Sequence, residues 1–210
     1  MRLDYETAGI SEADFAADPF QQFDTWFNVA VESEVYEPNA MVVSTVDPDG
    51  QPWSRYVLLK GFSPVGFEFF TNYESNKSNQ MAQQPLASAT FGWLELHRQV
   101  NIAGSVERLS DAESDAYWAV RTRGSQLGGW ASPQSRVIGD RDELHDRYAA
   151  IEERFEDSET VERPAHWGGW LIVPHTVEFW QGRQNRMHDR LRYIRSDADS
   201  NSWDLVRLAP

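Results

Sequence analysis

The stretch Thr176-Val177-Glu178-Phe179-Trp180-Gln181-Gly182-Arg183-Gln184-Asn185-Arg186-Met187-His188-Asp189-Arg190 reads as strand, turn and returning strand. Residues 176–180 are β-branched and aromatic, 182–185 have turn chemistry, and 187–195 resume a β-compatible pattern. Side chains alternate across a strand, so this reading puts Arg186, His188 and Arg190 in a row on one face, with Met187, Asp189 and Leu191 on the other. Two fixed cations then flank one imidazole able to exchange a proton near neutral pH, a row suited to a flat, anionic, aromatic ligand. The same row also describes the solvated face of an edge strand, and spacing does not choose between the two.

Further strands flank this hairpin. Residues 41–46 and 52–60 enclose the turn Asp47-Pro48-Asp49-Gly50, and 66–71, 86–93, 99–109, 168–173 and 202–208 continue the pattern, with 197–201 as the last turn. In the 52–60 segment Arg55 and Lys60 are five apart, so an ideal strand points them to opposite faces. Asp18-Pro19 reads as N-cap and first residue of a helix ending near Glu34, with Phe20, Phe23, Phe27, Ala30 and Val31 as its core stripe. A short helix over 75–84 stops at Pro85, and the loop before it, with Asn76 and Lys77, offers free backbone N–H groups to an anion. The capping box Ser110-Asp111-Ala112-Glu113 opens a helix to about Thr122, ended by Gly124. Tyr117 and Arg121 share one face of it, with Ser125 just beyond, a set able to cup a phosphate or to serve as an ordinary surface pair. Residues 130–135 read as loop, and 140–156 as a capped helix with Leu144, Tyr148, Ile151 and Phe155 inward. The whole is mainly β with flanking helices, one domain over residues 1–210, with 1–17 expected as a mobile N-terminal segment.

Composition narrows function. The chain has 210 residues, 40% of them hydrophobic and 13% aromatic, enough for a substantial core, and no apolar run long enough to span a bilayer. It has no cysteine, which excludes disulfides, thiolate metal sites and a cysteine nucleophile, and a cytoplasmic protein with no membrane partner is expected. A net charge of −14 argues against nucleic acid. Only Lys60 and Lys77 are lysines. His97, His145, His166 and His175 are scattered, and no metal-ligand set is found.

The hairpin, together with Arg55-Tyr56-Val57-Leu58-Leu59-Lys60, Arg98-Gln99-Val100, Ser125-Gln126-Leu127-Gly128 and the terminal Arg207-Leu208-Ala209-Pro210, resembles the pyridoxine (pyridoxamine) 5'-phosphate oxidase family, from about Arg2 to Pro210. The resemblance implies an FMN-binding split β-barrel, a homodimer with FMN at the subunit interface. It implies oxidation of C4' of pyridoxine or pyridoxamine 5'-phosphate to give pyridoxal 5'-phosphate, with hydride passing to flavin N5 and O2 as final acceptor, giving H2O2. By the same resemblance, Arg55, Lys77, Gln134 and Ser135 hold the FMN phosphate and ribityl chain, with Lys60, Phe70, Thr71, Asn76, Gln99, Trp180 and Arg190 completing the cofactor site. Lys60, Tyr117, Arg121 and Ser125 would hold the substrate phosphate, Arg2 and Tyr5 would fold over the substrate, and Arg186 and His188 would act on its ring as the catalytic pair.

Hydride transfer asks of a protein mainly that two rings be held face to face, and cations on a remote phosphate can supply that orientation. In an acidic chain such a pocket must be positive locally, which screening over about 8 Å permits. The chain departs from the family pattern at Asn76, where an arginine is usual, and this bears on FMN affinity. Two other readings remain: a related flavin oxidase of the phenazine-pathway type, whose members tend to lose the substrate-phosphate residues, and a non-catalytic flavin or pyridoxal phosphate binder.

Overall fold

The computed structural model describes residues 9–196 and 202–210; Arg2, Tyr5 and the turn expected at 197–201 lie outside them. The sheet is organised on β7 (Trp167–Gln181), which runs unbroken for 15 residues where the sequence reading separates two strands at Pro174. The proline is tolerated because a register shift between Ala103 and Gly104 of β6 (Arg98–Arg108) falls opposite it, where the ladder needs no donor. Gly104 is required there, since a Cβ would collide with the Val173 carbonyl.

One edge of β7 belongs to β6. The other is shared: β4 (Gly66–Asn72) pairs along Trp167–Ile172, and β8 (Asp189–Arg195) pairs along Thr176–Gln181. The sheet therefore splits near Pro174. One branch passes from β4 to β3 (Gly61–Ser63), a strand the sequence reading misses; the other passes from β8 to β9 (Trp203–Leu208). Beyond β6 follow β5 (Leu86–Trp93), β1 (Ala40–Val46) and β2 (Pro52–Leu58), all pairs antiparallel.

Helix α1 (Pro19–Glu32) starts where expected, the Asp18 carboxylate accepting from the N–H groups of Phe20 and Gln21 at 2.8 and 3.1 Å. It buries Phe20, Phe23 and Ala30 in the barrel, with Phe23 5.0 Å from both Phe67 and Phe91. Val31, expected on this stripe, is 49% exposed, and Trp26 takes its place against Phe179. Position 26 lies three after 23 and four before 30, squarely on the buried face.

A second, smaller core fixes the helices. Trp118, Leu127, Phe155, Val161 and Trp167 bury one another, joining α3 (Asp111–Ala119), α4 (Arg123–Ala131) and α5 (Arg141–Arg154) to the start of β7. The helix expected to run to Thr122 ends at Ala119, and Gly124, read as a stop, lies in the first turn of α4. Burial of Leu127 and Ala131 on α4 outweighs the roughly 1 kcal/mol that one glycine costs a helix. The remaining helix, α2 (Asn76–Gln83), follows β4 directly and is capped by Ser75.

Candidate active site

A cavity of about 700 Å³ opens where β4, α2, α3 and α4 meet the end of β2. Lys60, Phe70, Thr71, Lys77, Tyr117, Arg121, Ser125 and Gln134, all singled out from sequence, line it. Tyr117 comes from α3, Arg121 from the link to α4 and Ser125 from the first turn of α4, so the second core gathers them. Tyr117 stacks on Phe70 with ring centroids 4.1 Å apart, and Phe70 stacks on Trp167 at 5.6 Å, giving the cavity an aromatic wall. Trp167 escapes the sequence reading because nothing in strand alternation marks it as a wall.

The cations around this cavity lack counter-ions. Lys77 is 8% exposed, and its ammonium donates to Thr71 Oγ1 (3.0 Å), Gln134 Oε1 (3.1 Å) and Ser75 Oγ (3.3 Å), all neutral acceptors. Arg55 stands behind it, Nη1 donating to Thr45 Oγ1 at 2.6 Å and Nη2 to Gln80 Oε1 at 3.3 Å. Burial, with Arg55 adding its charge, pulls the Lys77 ammonium down from 10.5 to about 8. Arg121 lies over Trp167 at 4.4 Å and donates to the Ser125 carbonyl at 2.9 Å; burial lowers its pKa too. Lys60 follows the end of β2, its ammonium 5.8 Å from the Tyr117 ring centre. Among the described residues none of Arg55, Lys60, Lys77 and Arg121 forms an ion pair. Ser135 follows Gln134 in a left-handed conformation, φ 71°, and both it and Asn76, exposed at the first position of α2, fall outside the cavity lining.

The other five candidates collect elsewhere. Gln99, Trp180, Arg186, His188 and Arg190 lie at the far end of β7 and on its neighbours β6 and β8. Trp167 and Trp180 are thirteen residues apart on that strand, roughly 40 Å of extended chain. The row read from alternation is absent here. β8 starts at Asp189, and Asn185 and Arg186 are both left-handed, φ 56° and 61°, so Arg186 and His188 belong to a tight turn. The His188 ring lies 4.6 Å from that of Trp180, and its Nδ1 accepts from the Arg183 N–H at 3.1 Å. Asp189 is gripped by Arg207 at 2.6 Å and by the Ile10 N–H at 3.2 Å, which ties the segment before α1 to this turn.

The model of the pyridoxamine 5'-phosphate oxidase family matches residues 27–155, and that of the pyridoxine 5'-phosphate oxidase C-terminal dimerisation region matches 167–210. The chain belongs to this family. A pyridoxine/pyridoxamine 5'-phosphate oxidase of Acaryochloris marina is 50% identical over 210 residues, 100% of this chain and 94% of that protein. Its counterpart in Synechocystis is 49% identical, covering 100% of this chain and 96% of that protein. Among solved structures, PhzG from Burkholderia lata in complex with tetrahydrophenazine-1-carboxylic acid superposes with a TM-score of 0.89 at 28% identity, covering 98% of both chains. A pyridoxamine 5'-phosphate oxidase-related, FMN binding protein from Nostoc punctiforme shares the fold, with a TM-score of 0.71 at 21% identity, covering 93% of this chain and 100% of that one. The expected class, a mainly β split barrel with flanking helices, is the fold found, and the chain is an oxidoreductase of the pyridoxamine 5'-phosphate oxidase family.

In this oxidase two regions carry complementary chemistry. The cavity offers uncompensated positive charge beside an aromatic wall, which suits phosphorylated aromatic ligands. At the other end Arg190, Arg192 and Arg207 are already paired with carboxylates. Glu178, missed from sequence because it looks like one acid among many, accepts from Arg190 at 2.8 Å and from Arg192 at 2.6 Å. Burial alone would raise its carboxyl, but the two guanidinium groups overcome that and hold it below the usual carboxylate range.

Proposed function

We propose that this chain is an FMN-dependent oxidase converting pyridoxine or pyridoxamine 5'-phosphate to pyridoxal 5'-phosphate, with O2 as final acceptor giving H2O2, and that it works in the cytoplasm as a homodimer. The observation that carries this reading is the cavity: a chain of net charge −14 with two lysines spends both on one cavity and leaves its cations without carboxylate partners. Buried cations without counter-ions call for anions, and a phosphorylated cofactor and a phosphorylated substrate supply two.

Arg55, Lys77, Thr71, Gln134 and Ser135 would hold the FMN phosphate and ribityl chain, with Phe70 and Asn76 beside them. Lys60, Tyr117, Arg121 and Ser125 would hold the substrate phosphate, fixing a ring whose reacting carbon lies away from these charges. FMN would supply the acceptor for the hydride that leaves C4' and the route to O2. His188, whose Nδ1 accepts the Arg183 N–H, would lie against the substrate ring. Arg186 would clamp that ring from the same turn, with Gln99, Trp180 and Arg190 against the flavin.

The placement of the two groups supports a homodimer. Trp180, Arg186, His188 and Arg190 fall within the matched C-terminal dimerisation region and do not line their own chain's cavity, so a second copy would bring them to it. An apolar groove of Val42 on β1, Tyr56 and Leu58 on β2, and Tyr36 and Leu94 just before β1 and after β5 offers surface for such a contact. Among the described residues no helix is long and apolar enough to cross a membrane.

The likeness to PhzG raises a second reading, an oxidase of phenazine-type aromatics. It weighs less, since relatives near 50% identity over the whole chain are pyridoxine/pyridoxamine 5'-phosphate oxidases, against 28% for PhzG. Peroxide release from protein reconstituted with FMN tests both: turnover is expected with pyridoxine or pyridoxamine phosphate, and turnover with tetrahydrophenazine-1-carboxylic acid alone would select the second. Mixing Lys77→Ala with Arg186→Ala protein tests the shared site. Half of the dimers become mixed, each with one intact site, so about a quarter of native activity returns; no recovery places both residues in one subunit's site.

A further inference from the structure

Glu178 is 5% exposed near the C-terminal end of β7, in register with Asn101 on β6 and Arg192 on β8. Its two carboxylate oxygens divide their work. Oε2 accepts from Arg192 through Nε at 2.9 Å and Nη2 at 2.6 Å, a fork that would by itself satisfy a buried carboxylate. Oε1 is kept for Arg190, accepting from its Nε at 2.8 Å. Arg190 is held again at Nη1, which donates to the Ala209 carbonyl at 3.1 Å, and its backbone pairs with that of Trp180. Its side chain is thus fixed along one edge, and Nη2 is the corner that neither contact uses. An arginine free to rotate loses rotamer entropy when it binds; one already held by its Nε edge has lost it on folding.

We propose that Glu178 is a positioning residue for the cofactor: it holds Arg190 by the Nε edge so that the Nη2 corner meets the flavin in one orientation, while Arg192 satisfies the second oxygen and keeps the buried carboxylate ionised. This rests on the assignment of Arg190 to the flavin made above. Removing the carboxylate frees the guanidinium to move away from its companion Arg192. Binding of FMN then suffers without any direct contact between Glu178 and the cofactor.

FMN titration of apo protein tests this as a double-mutant cycle of Glu178→Gln and Arg190→Lys. Glu178→Gln is expected to weaken FMN by about tenfold, with KM for the phosphorylated substrate nearly unchanged once FMN is saturating. Arg190→Lys is expected to weaken it at least as much, and the double variant to be no worse than Arg190→Lys, because Glu178 acts only through Arg190. Losses that add in full, or native affinity in Glu178→Gln beside a weakened Arg190→Lys, overturn the positioning role alone. Native affinity in Arg190→Lys overturns the flavin assignment on which it rests. Should Glu178→Gln not fold by circular dichroism, Glu178→Asp keeps the anion but withdraws it by one methylene. It is expected to lose affinity to a smaller degree, and an unchanged Kd there also overturns the proposal.

Discussion

The cavity beneath α3 and α4 and the turn at the end of β7 both gather arginines, yet they treat charge in opposite ways. Around the cavity Arg55, Lys60, Lys77 and Arg121 meet only neutral oxygens and aromatic faces. At the β7–β8 end three arginines already have carboxylates, Arg190 and Arg192 on Glu178 and Arg207 on Asp189 and Glu12, while Arg98 donates to the neutral Gln181. A cation without a counter-ion in a low-dielectric wall is a demand for an anion. A cation with one is a directed hydrogen-bond donor of reduced charge. On the function proposed, the first region would bind phosphate and the second orient what has been bound, so changes in the first should move affinities more than changes in the second.

The largest effect is expected at Lys77. Lys77→Met removes the buried ammonium from the FMN phosphate, a charge-assisted contact worth about 3 kcal/mol at the upper end, so FMN affinity should fall by roughly 150-fold. Arg186→Ala, in the oriented region, should leave FMN titration near native while kcat/KM drops. If the two variants lose FMN equally, the division between the regions fails. Next comes Arg121→Ala, expected to raise substrate KM by about 10- to 150-fold through loss of one charged phosphate contact, with bound flavin retained. Flavin loss in that variant would show that the cavity does not separate two phosphates.

The contrast between the regions also marks what could be read from the chain alone. The cavity residues were legible because each sits in a locally determined setting: Lys77 after a strand and beside a capped helix start, Tyr117 and Arg121 four apart on α3 and its extension. Asp18 and the Ser110–Glu113 box act within a few residues, so those helix starts stand where expected. Failures occur where distant packing decides. Gly124 reads as a stop until Leu127 finds Trp118 and Trp167, and Pro174 reads as a break until the register against β6 skips His175 beside it. The turn expected over 182–185 extends farther for the same reason. The left-handed Arg186 carries the turn one residue past Asn185, and with His188 tied to the Arg183 N–H the strand resumes only at Asp189 instead of Met187. Glu178 shows the limit most clearly: its partners are twelve and fourteen residues away across a hairpin.

Acidity sharpens the comparison further. With its ammonium at about 8 in the ligand-free protein, Lys77 is charged at pH 7 and neutralises as pH rises. A bound phosphate favours the charged form, so FMN affinity should be full below pH 8 and fall above it, approaching tenfold per pH unit. Below about pH 6 the phosphate itself takes up a proton, so affinity declines on that side too. Protein stability runs the other way. Lys77 binds its proton less well folded than unfolded, at about 8 against 10.5, so the ligand-free protein should gain stability between those values. FMN titration and denaturant unfolding of native and Lys77→Met apo protein from pH 6 to 10 check the two signs, and an equal decline of affinity above pH 8 in the two would assign the titration to another group.

The smallest effect is expected where the chain departs from its family, at Asn76. The sequence alone suggests a large gain from Asn76→Arg, since asparagine lacks the charge and the forked donors that suit arginine to phosphate. The fold reduces that expectation. Asn76 is exposed at the start of α2 and outside the cavity lining, while Lys77, one residue on, is buried within it. An arginine introduced there would reach the phosphate from solvent, and exposed ion pairs contribute about 0.2 to 1 kcal/mol, so FMN affinity should rise by no more than about fivefold. Because the new charge is screened and Lys77 much less so, the gain should shrink between low and high salt while the Lys77→Met loss stays large. FMN titrations of native, Asn76→Arg and Lys77→Met protein at two salt concentrations read both at once. A gain of tenfold or more that survives high salt would mean position 76 faces the phosphate from inside the cavity, and the boundary between its buried cations and the solvated surface would have to move outward by one residue.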